Sequence, residues 1–225
     1  MRKMIIITID GPAGAGKSTI AKALARRLGI SYLDTGAMYR ALTFKALRHQ
    51  INLEDEAALV DLAHQTTIDL QQDQEARLKV LLDGEDVSEE IRSLEVTNNT
   101  FYIARAPGVR EIMVAWQREI GEHHAIVAEG RDVGTVVFPK ATCKFYLDAD
   151  FEERSRRRIQ ELKDKGKMVD ETQLKEELQT RDHKDFTRQV GPLKKAEDAV
   201  VIDSTGLSIE DVAGKMMEYI QARKS

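Results

Sequence analysis

Gly11-Pro-Ala-Gly-Ala-Gly16-Lys17-Ser18-Thr19 lies between an apolar run, Met4-Ile5-Ile6-Ile7-Thr8-Ile9, and the segment Ile20-Ala-Lys-Ala-Leu24-Ala-Arg-Arg-Leu28. The apolar run reads as a buried strand, and the following segment as a helix with Ile20, Leu24 and Leu28 on one face. Strand, glycine loop and helix in that order, with the spacing G-x-x-x-x-G-K-[ST], make a phosphate-binding loop. Each residue type has a chemical reason. Gly11, Gly14 and Gly16 let backbone N–H groups curl around phosphate oxygens with no Cβ in the way. The helix N-terminus, at Ser18 and Thr19, adds unpaired N–H groups and a partial positive charge. Lys17 reaches the β- and γ-phosphates, and the Ser18 hydroxyl is placed to ligate Mg²⁺.

Working outward, 225 residues are enough for one domain with a small inserted subdomain. The hydrophobic content of 42% supports a sizeable core, and 32% charged residues suits a soluble chain. A net charge of -4 argues against a general nucleic-acid or membrane-surface role. No apolar run approaches the roughly 20 residues a membrane span needs. The N-terminal run is cut short by Asp10-Gly11, so it does not read as a signal peptide. The single cysteine, Cys143, rules out an internal disulfide or a cysteine metal cage and falls in an apolar strand, so core packing is its expected role. A cytoplasmic monomer with no nucleic-acid or membrane partner is the expectation.

Short apolar runs alternate with helical patterns, the rhythm of a parallel α/β sheet. The candidate strands are Ile5–Asp10, Ser31–Leu33, Ala125–Glu129, Lys144–Leu147 and Val200–Asp203. They end at or beside Asp10, Asp34, Glu129, Asp148 and Asp203, and ligands in such sheets bind outside the carboxyl ends of strands. Those five ends should therefore converge on one crevice. Gly29 is expected to stop the first helix. From about Thr66 to Val96 the rhythm breaks: strand-like Thr66–Leu70, a polar turn, Arg77–Leu82, the turn signal Asp83-Gly84, then Glu85-Asp86-Val87. This predicts a small antiparallel insertion, followed by helices near Ser93–Arg105 and Val109–Glu122 with Pro107-Gly108 between them.

The second half is rich in arginine. Arg154, Arg157 and Arg158 fall at i, i+3, i+4 on a predicted helix, and Arg181, Asp185 and Arg188 at i, i+4, i+7. Like charges clustered on one face repel unless an anion neutralises them, and polyphosphate is such an anion. Lys163-Asp-Lys-Gly166-Lys, between the two groups, reads as the tip of a lid that excludes water. A GTPase would need a guanine-reading Asn-Lys-x-Asp, which is absent; Asp203-Ser-Thr-Gly206 matches only the loose D-x-x-G pattern. An ATP-driven motor, an ATP or anion sensor, and a small kinase acting on shikimate or a nucleotide all share the loop. The length and the arginine count favour the kinase.

Longer motifs narrow the choice. Ile9-Asp-Gly-Pro-Ala-Gly-Ala-Gly-Lys-Ser-Thr19, Tyr32-Leu-Asp-Thr-Gly-Ala-Met-Tyr-Arg40, Leu82-Asp-Gly-Glu-Asp-Val-Ser-Glu-Glu-Ile-Arg92 and Glu129-Gly-Arg-Asp-Val-Gly-Thr-Val-Val-Phe-Pro139 are followed by Phe145-Tyr-Leu-Asp-Ala149, Arg181-Asp182, Asp185, Arg188, Pro192-Leu193 and Ile202-Asp-Ser-Thr205. Over essentially its whole length the chain resembles the bacterial cytidylate (CMP/dCMP) kinases. The resemblance implies an α/β P-loop three-layer fold with a five-stranded parallel sheet, a small antiparallel insertion and a short helical lid. It implies a core of residues 1–65 and 99–225, a nucleoside-monophosphate-binding subdomain at 66–98 and a lid at about 154–168. It implies transfer of the γ-phosphate of ATP to CMP or dCMP with Mg²⁺. Carried over by position, Arg40, Arg131 and Arg188 hold the CMP phosphate, and Thr35, Arg110 and Asp132 read the cytosine edge. Arg181 and Asp185 contact the sugar, while Arg154, Arg157 and Arg158 sit on the lid over the transferring phosphate. One position departs from the pattern: Phe101 stands where a serine that helps hold the sugar is expected.

Overall fold

The computed structural model describes residues 4–72, 78–164, 166 and 168–223. The first half runs β1 (Ile6–Asp10), α1 (Lys17–Leu28), β2 (Ser31–Asp34), α2 (Thr35–Arg48), α3 (Glu56–His64), β3 (Ile68–Gln72), β4 (Leu78–Leu82), β5 (Glu85–Asp86) and α4 (Leu94–Arg105). Then follow α5 (Pro107–His123), β6 (Ile126–Gly130), β7 (Cys143–Asp148), α6 (Phe151–Asp164), α7 (Glu171–Thr187), β8 (Val200–Asp203) and α8 (Ile209–Ala222). The five strands expected to be parallel form one sheet in the order β2-β6-β1-β7-β8, with every pairing parallel. β1 sits at the centre because its apolar side chains are covered on both faces, as parallel strands require.

The two faces can be read from alternation along β6. Val127 belongs to one apolar cluster, with Ile7, Ile9, Leu24, Phe145 and Met216, under α1 and α8. Ile126 and Ala128 belong to the other, with Leu33, Met38, Leu42, Ile103 and Met113, under α2, α4 and α5. The result is three layers, helix–sheet–helix, as expected from the strand rhythm. Cys143 is buried in β7. No helix among the described residues is long and apolar enough to cross a membrane.

The insertion is an antiparallel sheet of β3, β4 and β5. Asp83 (φ 52°) and Gly84 (φ 86°) are both left-handed at its second turn, the conformation a two-residue hairpin of this kind demands. Its polar first turn and Arg77 lie outside the described residues. Leu78, Val80 and Leu82 are buried in the same cluster as Ile20 and Leu24. Lys45–Asp83 (2.6 Å) and Arg48–Glu85 (2.6 Å) tie the hairpin to α2.

One boundary differs from expectation. Pro107 and Gly108 do not separate α4 from α5; Pro107 opens α5 and Ala106 alone links the helices. A proline in the first turn forfeits no helical hydrogen bond, because its N–H would have no partner there. The arginine-rich segment is a hairpin of α6 and α7 spanning 151–187, with a small apolar cluster of its own, Ile159, Leu162 and Leu174. Lys165 and Lys167 of the expected lid tip lie outside the described residues.

Candidate functional site

A cleft of about 1660 Å³ opens at the carboxyl end of the sheet. Its floor is the glycine loop. Gly14 (φ 78°) and Gly16 (φ 90°) are left-handed, and Gly16 caps α1, so the first amides of that helix face the cleft. Gly14, Gly16, Lys17, Ser18 and Thr19 line it. Gly11 has another job. A Cβ there would lie 2.0 Å from the Leu147 carbonyl, so this glycine lets the loop press against β7 and does not line the cleft. Lys17 Nζ donates to the Pro12 carbonyl at 2.8 Å. Burial, and then the neighbouring Arg131, push the Lys17 ammonium down to about 7. The Ser18 hydroxyl donates to Glu129 Oε1 at 2.5 Å, and the Tyr32 hydroxyl donates to the same oxygen at 3.0 Å.

Not all five acidic strand ends converge. Asp34 and Glu129 line the cleft; Asp10, Asp148 and Asp203 do not. Asp34 caps α2 through the Ala37 amide at 2.8 Å and pairs with Arg40 at 3.0 Å. Asp148 and Asp203 hold backbone amides of Ala149 and Thr205 in their own turns. Asp10 is turned into the protein, accepting from the amides of Val133 and Gly134.

Beyond the loop, three charge groups form the far wall. Thr35, in the first turn of α2, donates to the Glu129 carbonyl at 2.8 Å. Arg110 from α5 pairs with Asp132 Oδ2, while Arg188 Nη2 donates to Asp132 Oδ1 at 3.3 Å. These three groups are almost wholly buried, with side-chain exposures of 4%, 9% and 5%. Arg110 also lies 5.8 Å over the Tyr39 ring. Burial pushes the Asp132 carboxyl above the usual carboxylate range despite its two arginines. Gly191 closes over the pair: a Cβ there would sit 2.2 Å from Arg110 Nη2 and 2.3 Å from Asp132 Oδ2. Its left-handed φ of 57° independently favours glycine.

Arg131 pairs with Asp185 at 2.6 Å, between the sheet and α7. Burial raises the Asp185 carboxyl, but Arg131 and Arg181 outweigh it and hold the group below its ordinary range. Arg181 has no ion-pair partner within 4.0 Å among the described residues, and burial, then Arg131, push it down to about 10. Arg40 and Arg158 also disfavour its charge, so cations from α2, α6, α7 and the end of β6 converge on one region. Such convergence is unfavourable until an anion of high charge enters.

The three lid arginines are not equivalent. Arg157 and Arg158 line the cleft. Arg157 is held by the Ser204 hydroxyl (2.9 Å), the Ser204 carbonyl (2.6 Å) and Glu153 (2.8 Å), and Arg158 by Glu161 at 2.7 Å. Arg154 is a correction to the sequence reading. It is buried, donating to the Ala13 carbonyl (2.9 Å), the Ala149 carbonyl (3.0 Å) and Asp182 (2.5 Å), and does not line the cleft. Its guanidinium braces the back of the glycine loop instead of facing the space over it.

Sequence reasoning missed Glu129 as a partner of Ser18, and missed Tyr39, Asp182 and Gly191. Glu129 carried a usable signal, an acid ending an apolar strand; the other three are brought in by long-range contacts. Phe101 lines the cleft with Lys184 Nζ 5.2 Å and the Arg105 guanidinium 5.4 Å from its ring. The neighbouring Thr100 hydroxyl donates to the Val96 carbonyl at 2.7 Å.

With this geometry in place, comparison with known proteins is specific. The family model described as cytidylate kinase matches residues 7–222. A cytidylate kinase of Desulforamulus reducens is 52% identical over 218 residues, 97% of each chain. Those of a Geobacillus species and of Bacillus velezensis are 50% and 49% identical over 223 residues, 99% of each chain. A solved structure of an uncharacterized protein from Eubacterium ventriosum has a TM-score of 0.53 at 15% identity, covering 97% of this chain and 99% of that one, which shows likeness of fold alone.

Proposed function

The chain belongs to the cytidylate kinase family, an ATP- and Mg²⁺-dependent transferase acting on CMP and dCMP, and from that premise we propose how its own residues do the work. The observation that carries the reading is the buried Arg110–Asp132–Arg188 group set across one cleft from the glycine loop. Thr35, Arg110 and Asp132 read cytosine: the carboxylate accepts from the exocyclic amine, and the guanidinium donates to O2 and N3. Uracil would turn a carbonyl toward Asp132 and leave a buried acceptor without its donor, so UMP is disfavoured. Arg40, Arg131 and Arg188 hold the CMP phosphate, while Arg181 and Asp185 hold the sugar.

Transfer is direct. A CMP phosphate oxygen attacks the γ-phosphorus of ATP, the bond from that phosphorus to the β,γ-bridging oxygen breaks, and ADP leaves. Lys17, the loop amides, Arg157 and Arg158 stabilise charge spreading over the transferred group. The Ser18 hydroxyl and Glu129 carboxylate, already in contact, are the hard oxygen donors that suit Mg²⁺. When bound, Mg²⁺ supplies positive charge to the β- and γ-phosphate oxygens.

We read 66–98 as the part that carries the nucleoside-monophosphate side and about 154–168, within the α6–α7 hairpin, as the lid. We read the working unit as a cytoplasmic monomer. The test is ADP release from Mg-ATP with CMP, dCMP, UMP, AMP and shikimate offered separately. Turnover with CMP and dCMP and little with the rest is the expected result; tight ATP binding without cytidylate turnover would mean a sensor or another acceptor.

Phe101 bears on sugar preference. A phenyl ring cannot hydrogen-bond a hydroxyl, and Lys184 and Arg105 both lie over the ring of Phe101. Phe101→Ser is expected to shift the KM ratio toward CMP over dCMP by about threefold to tenfold, the worth of one net hydrogen bond. Steady-state kinetics with both nucleotides checks this, and an unchanged ratio removes Phe101 from sugar selection.

A further inference from the structure

The acid at the end of the central strand does not face the cleft, and the reaction as derived makes no use of it. Past Gly130 the chain enters a tight π-helical turn, Val133–Val137, for which Asp132 is the N-cap residue. An aspartate at that position ordinarily folds its own carboxylate back onto the first free amides of the turn. Asp132 makes no such bond. Its two oxygens are engaged by Arg110 and Arg188. The amides are satisfied from β1: Asp10 Oδ1 accepts from Val133 N at 2.8 Å, and Oδ2 from Gly134 N at 2.7 Å. The neighbouring Thr8 hydroxyl has no hydrogen-bond partner among the described residues, so it does not share the task. Gly134 is needed for the approach, because a Cβ there would lie 2.8 Å from Thr8 Oγ1 and 3.2 Å from Asp10 Oδ2.

We propose that Asp10 is a positioning residue for base selection, capping the 133–137 turn in place of Asp132 so that the Asp132 carboxylate is free to face the cleft. This rests on the cytosine-reading role given to Asp132 above. The physical reason is competition. Two buried amides with no acceptor each carry a desolvation cost. If Asp10 cannot accept from both, the nearest carboxylate able to do so is that of Asp132, which would have to leave Arg110 and Arg188. Burial pushes the Asp10 carboxyl up to about 6, while the Gly134 and Val133 amides favour its charged form.

Asp10→Asn tests the idea without changing shape. A carboxamide has one acceptor oxygen, and its NH₂ would face the second amide donor to donor. The measurement is kcat/KM for CMP and UMP and KM for ATP in wild type, Asp10→Asn, Asp132→Asn and the double variant. Expected are a roughly tenfold rise in the KM for CMP, a smaller preference for CMP over UMP, and a KM for ATP within about twofold of wild type. In the Asp132→Asn background, Asp10→Asn should change the CMP-to-UMP ratio no further, since both act through one carboxylate. Equal loss in both backgrounds, or a KM for ATP that rises with that for CMP, would overturn the role and leave Asp10 a support of the glycine loop. Should Asp10→Asn fail to fold, Gly134→Ala reaches the same contact from the other side and is expected to give the same selective loss. A wild type that shows no CMP preference would overturn the reading of the site and this role with it. A wild-type preference left intact in Asp10→Asn would overturn the role alone.

Discussion

Lys17→Ala is expected to lower kcat by about a hundred- to a thousandfold while leaving the KM for CMP within about twofold. The asymmetry follows from where the ammonium sits. It donates to the Pro12 carbonyl, buried, with burial first and then Arg131 opposing its charge and Glu129 favouring it. It has no ion-pair partner within 4.0 Å among the described residues, and the incoming polyphosphate supplies one. Charge on the transferred group moves as the bond to the β,γ-bridging oxygen breaks, so an ammonium there stabilises the transition state more than the ground state. On the CMP side, Arg110, Asp132 and Arg188 form their contacts without Lys17. Steady-state kinetics with both substrates varied, on protein whose melting temperature has been checked, separates the two effects. Near-normal turnover would end the assignment of the glycine loop to phosphoryl transfer.

The layers of this fold are legible in sequence because each strand carries a local signal. Five apolar runs end at acids, and the observed strands begin and end within about one residue of them. Asp83-Gly84 is read directly, since two consecutive left-handed residues restrict the turn to few residue types. Side-chain direction is another matter. Asp10, Asp34 and Glu129 look alike as strand-ending acids, yet Asp10 turns inward to a neighbouring turn while the other two face the cleft. Arg154 and Arg157 share a helical face by spacing. Arg154 is nonetheless drawn under the glycine loop by the Ala13 carbonyl and Asp182, a carbonyl 141 residues earlier and an acid 28 residues later. Gly191 has no sequence signal at all; its place over Arg110 and Asp132 is set by where the chain returns after α7. Periodicity reports which face is apolar and is silent about which polar partner a buried charge will find.

Asp132→Ala is expected to raise the KM for CMP by about ten- to a hundredfold and to bring kcat/KM for UMP close to that for CMP. The same change should destabilise the protein. Asp132 is the ion-pair partner of both Arg110 and Arg188, each almost wholly buried, and the Gly191 backbone packs directly against the Arg110–Asp132 pair. Breaking such a group by removing one partner costs about 3–5 kcal/mol, because the remaining charges stay buried without compensation. Recognition and stability would thus fall together, and neither alone would identify the role. Asp132→Asn parts them. The carboxamide keeps an oxygen for one guanidinium and the volume of the side chain, so the melting temperature should recover in part. Its NH₂ now donates where the carboxylate accepted, which suits the uracil carbonyl and clashes with the cytosine amine. The asparagine variant should therefore favour UMP over CMP relative to wild type, a reversal that a generally weakened site would not produce. If both variants lose stability yet keep the wild-type ratio of CMP to UMP turnover, Asp132 is a structural counter-ion for Arg110 and Arg188, and base selection lies elsewhere in the cleft.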